Sequence, residues 1–269
     1  PSHPDLLDWL AVEFRESGWD VKSMIRLLVT SSTYRQSSAL RPEVSDKDLG
    51  TRLLSSYPRR RLGAEEIRDQ ALYLAGLLVE QMGGPSVKPY QPSGLWDEIA
   101  MRQSNTRVFV QGDGDDLWRR SLYTYWKRAC PPPSLLTLDA PTREFCTISR
   151  GTTNTPLQAL VLWNDPQFVE AARVLAQRSF VDAGEDIQSG IARMFLRCTG
   201  RYPSDFESER LKDTFNSFLE SYTAAPEEAT KLLQVGEAEI PEGINAPKLA
   251  ALTLLANALL SLDEVISRT

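Results

Sequence analysis

A helical grammar that governs both ends of the chain and lapses in the middle is the strongest constraint on its fold. Pro4 occupies a first-turn position, and Leu6, Leu7, Leu10 and Phe14 recur at helical spacing until Gly18 stops the run. The pattern restarts with Asp20 as N-cap and Met24, Ile25, Leu27 and Leu28 as an apolar face, so an antiparallel helix pair is expected. A polar loop follows from Tyr34 to Asp48, and Leu53 and Leu54 mark a short helix ahead of Arg59, Arg60 and Arg61. Ile67, Ala71, Leu74, Ala75 and Leu78 then line one side of a helix expected from about Ala64 to Met82, with Gly83 and Gly84 as its stop.

Between residues 83 and 118 the 3.6-residue period disappears. The stretch from Gly83 through Pro92 and Gly94 reads as a long surface excursion, a feature that is uncommon in compact domains and often functional. Residues 106–110 and 121–126 alternate and are rich in β-formers, which predicts one small hairpin. Pro131, Pro132 and Pro133 hold the chain extended.

The helical period returns at Thr155. Thr155, Pro156, Leu157 and Gln158 form a capping-box sequence with proline at the first helical position. Asn164 ends that helix and Asp165-Pro166 opens the next, which runs through Phe168, Ala172 and Leu175. Ser204 to Glu207 is a second capping box ahead of Leu211, Phe215, Phe218 and Leu219. Residues 222–248 are expected to be partly loop, and an apolar helix from about Pro247 to Ile266 closes the chain. The expected fold is therefore mainly α, an irregular multi-helix domain with long loops and at most one small β-hairpin. It is read as one domain over residues 1–269, made of a helical part (1–82), a loop-rich polar middle (83–154) and a second helical part (155–269).

With 42% hydrophobic and 25% charged residues there is ample material for a core, which excludes a disordered tail or a coiled coil. A net charge of −6 argues against nucleic acid, because phosphate neutralisation needs a concentrated basic surface. The charge is uneven: residues 102–150 carry eight Lys or Arg against five acids, whereas residues 182–242 carry six against thirteen. That basic middle reads either as a solvated face or as a surface for an anionic small molecule or glycan. No apolar run is long enough to span a membrane; the longest, Leu249 to Leu262, is interrupted by Thr253, Asn257 and Ser261. The start at Pro1 and the lack of a signal peptide suggest a piece of a longer protein.

The catalytic inventory is thin. His3 is the single histidine, so neither a histidine-built zinc site nor a Ser-His-Asp or Cys-His arrangement is expected unless it takes part. Cys130, Cys146 and Cys198 are too few for a disulfide scaffold and too scattered for a zinc ribbon. They read as three buried thiols, with pairing of Cys130 and Cys146 open in an oxidising compartment. No cofactor and no metal site is expected. Residues 112–116, Gly-Asp-Gly-Asp-Asp, invite a calcium or phosphate reading, but an EF-hand counted from Asp113 places Leu117, Trp118 and Thr124 where two ligand-loop positions and the bidentate acid belong. A third glycine for a dinucleotide loop is replaced by Leu117, which leaves a solvated turn or an irregular cation site. Carboxylate pairs need no histidine: Asp139 and Glu144 bracket a turn at Pro141, while Glu65, Glu66 and Asp69 suit a helix N-terminus.

The densest polar stretch holds Arg119, Arg120, Tyr123, Lys127, Arg128, Asp139, Arg143, Glu144, Arg150, Thr153, Asn154 and Gln158, with Thr152 among them. These are the candidate binding residues, since forked arginines beside hydroxyl, amide and carboxylate groups read anions or sugar hydroxyls. The competing reading is an internal network in which arginines donate to orphan carbonyls of irregular backbone. Trp96 and Trp118 add either a stacking platform for a sugar ring or ordinary buried packing.

Seven ordered phrases carry a family likeness: PSHPDLLDWLAVEF, GWDVKSMIRLLVTSSTYRQSS, RRRLGAEEIRDQAL, GGPSV, RRSLYTYWKR, LDAPTREFCTISR and TTNTPLQALVLWNDPQFVEAA. Together they resemble the planctomycete-specific C-terminal domain of unknown function found in large proteins that also carry planctomycete-type cytochrome c modules. The resemblance extends over nearly the whole chain, to LLSLDEVISRT. Gly63 departs from it, standing where the family usually has aspartate, at a cost of about a few tenths of a kcal/mol at an N-cap. The resemblance implies an exported multidomain parent, periplasmic or extracellular, from a polysaccharide-degrading bacterium, and it implies no established activity. The expected function is a non-catalytic binding or scaffold domain that docks a neighbouring module of the parent chain or recognises a glycan. The alternative is a carbohydrate-active hydrolase or lyase using Asp139 or Glu144 with an arginine or Tyr123.

Overall fold

The computed structural model describes all residues except 40, 41, 46, 49, 185, 241, 242, 244 and 269, with the side chains of Val44 and Ser45 also outside the description. Two compact units are present, residues 1–61 with 267–269, and residues 62–266. The fold is mainly α, as the periodicity predicts.

In the first unit, α1 (Pro4–Glu16) and α2 (Val21–Thr30) form at the predicted places, but they do not pack along one another as the expected antiparallel pair. Asp20 caps α2 by accepting the Ser23 amide at 3.0 Å. Gly18 and Trp19 both adopt positive φ, the Trp19 amide donates to the Phe14 carbonyl, and the two rings meet edge to face at 5.3 Å. A one-turn helix α3 (Pro42–Ser45) interrupts the expected loop, of which residues 40, 41 and 46 lie outside the described residues. The helix expected at Leu53 and Leu54 is instead a turn organised by Asp48, whose carboxylate accepts the amides of Leu53 at 2.8 Å and Ser55 at 3.1 Å. Those amides, Leu53 first, hold its pKa below the ordinary value. Strand β1 (Arg60–Arg61) pairs antiparallel with β2 (Ser267–Arg268), Arg60 opposite Arg268.

The second unit is built around α8. Its order is α4 (Ala64–Ala75), α5 (Leu95–Ile99), α6 (Pro133–Thr137), α7 (Pro156–Asn164), α8 (Pro166–Asp182), α9 (Ile187–Thr199), α10 (Asp205–Ala224), α11 (Pro226–Leu233), α12 (Ala246–Leu260) and α13 (Asp263–Ile266). Helix α12 is apolar on nearly every side and buries Leu249, Leu252, Leu255 and Leu259 against α8 and α10, each leucine contributing about 2 kcal/mol. Phe168, Ala172 and Leu175 of α8 join Ile67 and Ala71 of α4 in the same core. Two polar residues of α12 bond inside it: Thr253 donates to the Leu249 carbonyl at 2.8 Å, and the Asn257 side-chain nitrogen donates to the Trp163 carbonyl at 3.2 Å. No helix of the described residues is long and apolar enough to cross a membrane.

Three elements differ from expectation. Helix α4 stops at Gly76, in the left-handed region at φ 82°, rather than at Gly83, because beyond it Val79 donates to the Trp118 carbonyl at 3.0 Å. The predicted hairpin of 106–110 with 121–126 does not form. Residues 121–123 make a 3-10 turn, and the extended pairing goes to Val87, which exchanges bonds with Tyr123 and Tyr125 at 2.8 and 2.7 Å. The closing helix breaks at Ser261 into α12 and α13. At Thr155 the threonine hydroxyl accepts the Gln158 amide at 3.4 Å, but the Gln158 side chain turns elsewhere, so the box is one-sided; at Ser204 both halves are present.

Candidate functional site

The irregular segment 76–154 is held to the helices by polar side chains, and these include five of the twelve sequence-predicted binding residues. Arg119 is buried and donates to the carbonyls of Gln81 at 3.0 Å and Pro85 at 3.1 Å, and to that of Gly83. Its guanidinium stacks on the Tyr123 ring at 4.0 Å, and the Tyr123 hydroxyl accepts the Gly83 amide at 2.8 Å. Both residues thus fasten the 81–85 loop. Asp139 accepts from the Thr153 amide at 2.6 Å, from its hydroxyl at 2.8 Å and from the Gln158 side-chain amide at 3.0 Å. This knot ties the end of α6 to the start of α7, and the carboxylate needed for hydrolysis is already engaged in it.

The remaining candidates fall into separate places. Lys127 donates to the Thr106 carbonyl at 2.6 Å and lies over the Trp96 ring at 4.3 Å. Arg120 pairs with Glu80 at 3.4 Å, Arg150 pairs with Glu65 at 2.6 Å, and Arg143 covers the Trp126 ring at 4.3 Å. Arg128, Glu144 and Asn154 are exposed. The structure therefore brings together Asp139, Thr153 and Gln158, and Arg119 with Tyr123, while distributing the rest. Trp96 is buried against Phe109 and Tyr125 rather than presented as a platform, and Trp118 is half-buried. Of the cysteines only Cys198 is buried, where desolvation pushes its thiol up to about 12; Cys130 is half-buried and Cys146 exposed, and all three are free. Residues 113–116 form an exposed turn, and among the described residues no group of three or more His, Cys, Asp or Glu side chains is placed to hold a metal ion.

Sequence reasoning missed three deeply buried charged side chains. Arg68 of α4, 2% exposed, donates to the carbonyls of Leu117 at 2.7 Å and Arg119 at 2.8 Å, to the Ser121 hydroxyl at 3.1 Å and to Gln167 of α8. Burial lowers its pKa to about 10, opposed by Asp69 and Asp165, so the guanidinium stays charged at neutral pH. Glu170 of α8, 0% exposed, accepts from Trp118 Nε1 at 2.9 Å, the Tyr90 hydroxyl at 3.2 Å and the amides of Glu237 and Ala238 at 2.6 and 2.7 Å. Arg173, one turn on, donates to the carbonyls of Ala238 at 2.7 Å and Glu239 at 3.2 Å. Burial, then the Glu170 charge, drives the Tyr90 hydroxyl far above its ordinary pKa, so it remains a donor. The available signal was the polar i, i+3, i+7 stripe of Glu170, Arg173 and Gln177 along a helix otherwise rich in small apolar residues.

Among the described residues, two surfaces lie apart from these internal duties and bear on binding. One is a pocket of about 490 Å³ between Tyr90 and Pro92, the α6 start and α7, with Leu157, Leu160 and Asp165 on its wall. Burial, foremost, raises the Asp165 pKa, offset by the Gln167 amide, the Ser134 hydroxyl and Arg68. The other is the α1–α2 pair, in which neither helix has a buried residue and which exposes Leu6, Leu7, Trp9, Val12, Ile25 and Leu28 along with Trp19.

The architecture defines a mainly α protein whose buried arginines and carboxylates brace loops onto helices. The family model described as PSD1: Protein of unknown function (DUF1553) matches residues 1–215, and the chain belongs to that family. The match ends within α10, short of the nearly full coverage that the sequence phrases suggested. No curated protein and no solved structure is significantly similar to the chain.

Proposed function

We propose that the chain is a non-catalytic docking module of a larger exported multidomain protein, and that its α1–α2 pair is the face that seats a neighbouring module. The observation that carries this is the absence of any buried residue in either helix while Leu7 is 55% and Trp19 is 66% exposed. Exposed apolar side chains concentrated on two consecutive helices favour an interaction surface over an ordinary scatter of leucines. The engagement of Asp139 and Arg119 in internal bonds supports a structural role for the polar middle over catalysis by a carboxylate pair. The family resemblance supports the multidomain setting.

Hydrogen exchange tests the proposal by comparing the isolated 269-residue chain with the longer parent polypeptide. The amides of α1 and α2 are expected to exchange at least tenfold more slowly in the parent. Equal exchange in the two would sink the docking role. A parallel glycan array with the wild type and Arg150→Ala distinguishes sugar recognition: saturable binding lost in the variant would move the function to the polar middle.

A further inference from the structure

Side chains of α8 hold the turn after α11 by its main chain. Glu170 accepts the consecutive amides of Glu237 and Ala238 at 2.6 and 2.7 Å, and Arg173 donates to the consecutive carbonyls of Ala238 and Glu239 at 2.7 and 3.2 Å. The Tyr90 hydroxyl accepts the Glu237 amide as well, at 2.9 Å. Residues 236–239 belong to no helix or strand, and Glu237 and Glu239 are exposed. What α8 reads is therefore the backbone, as in peptide recognition by main-chain hydrogen bonds. We propose that Glu170 and Arg173 form a receptor for a glycine-led peptide segment of another polypeptide, and that residues 236–239 occupy it in cis as an exchangeable strap.

The receptor sets one sequence requirement. A Cβ at Gly236 would stand 2.4 Å from the Glu170 carboxylate, so a segment entering this site needs glycine immediately before the two amides that Glu170 accepts. The strap can exchange without dismantling the core, because it joins α11 to α12 and these helices pack directly against each other. Nor does it saturate the receptor: Arg173 is 1% exposed, and its buried Nε has no acceptor among the described residues. A competing segment gains from a carbonyl brought to that atom. Tyr90, Glu170 and Arg173 lie within the residues that match the family, 1–215, and the strap lies beyond them, so receptor and occupant come from separate stretches of the chain.

The test uses the whole chain and a fluorescein-labelled peptide of residues 234–240, QVGEAEI, followed by fluorescence polarisation. In the wild type the strap competes at an effective concentration of about millimolar, and binding is expected to be weak. Gly236→Val, whose side chain cannot fit against the Glu170 carboxylate, should keep its helical circular dichroism and bind the peptide one to one, about tenfold or more tightly than wild type. The peptide with valine in place of its glycine should not bind, nor should one methylated on the two amides that Glu170 accepts. Equal affinity of Gly236→Val and wild type, or retention of the altered peptides, overturns the receptor. Should Gly236→Val not fold, Ala238→Pro, which removes one of those amides, carries the same comparison. If neither variant folds, the strap is part of the core and the proposal fails.

Discussion

A single carboxylate, Glu170, anchors two loops that share no sequence proximity. Its four acceptor contacts come from Tyr90, Trp118, Glu237 and Ala238, so the side chain spans the excursion after α4 and the turn after α11. The turn approaches so closely that a Cβ at Gly236, where φ is 87°, would stand 2.4 Å from the carboxylate, and only glycine fits. Truncation would leave an indole N–H, two amides and the nearby Arg173 without their counterpart. Glu170→Ala is therefore expected to destabilise by about 3–5 kcal/mol, whereas Glu170→Gln, which keeps an acceptor in place, should cost less. Urea unfolding followed by circular dichroism checks the order; equal stability of Glu170→Ala and wild type would refute the bracing role.

Among the elements, the clearest logic is at helix starts. Ser204 accepts the Glu207 amide at 3.3 Å while Glu207 accepts the Ser204 amide at 2.8 Å, and Arg201 clamps Glu207 at 2.7 Å and Glu264 of α13 at 2.9 Å. Arg201, foremost, together with the Ser204 bonds, lowers the Glu207 pKa from 4.5 to about 2. A carboxylate whose pKa is lower in the folded than in the unfolded state binds fewer protons when folded. Its stabilisation is thus present above pH 4.5 and disappears as the pH falls toward about 2. Glu207→Gln should flatten that part of the thermal-stability profile, and an unchanged acid limb would contradict the assignment.

These caps were legible in the sequence because they are local: Asp20, Asp165 and Ser204 each meet an amide two or three residues away. The caps at Asp186 and Asn245 obey the same rule, although the apolar runs behind them gave a weaker cue. What was not legible depends on distant partners. The apolar period through Leu78 suggested a longer α4, but pairing of Val79 with the 118–119 segment competes with another helical turn. Likewise Arg119 and Asp139 stood out as polar, yet nothing in their spacing reveals that carbonyls at 81–85 and a threonine at 153 would consume them. Gln91 and Tyr90 carry no motif, and the pocket emerges only when α6 and α7 are brought beside them.

At the scale of the molecule, the core is almost wholly a property of residues 62–266, where α8 and α12 are enclosed by the other helices. Such a unit has enough apolar material to stand alone. A 62–266 fragment is expected to give a helical circular dichroism spectrum and one cooperative thermal transition. A non-cooperative melt would mean that it needs the remaining residues.

The β1–β2 ladder has a consequence for biosynthesis. Arg60 meets Arg268 only after the intervening polypeptide has been made, so the smaller unit is completed by a pairing of very high sequence separation. Once synthesis is complete, the larger unit closes on residues 62–266 alone, whereas the first sixty-odd residues still need the strand that follows it. A released chain truncated just before Ser267 should therefore carry a folded larger body and a protease-sensitive leading segment.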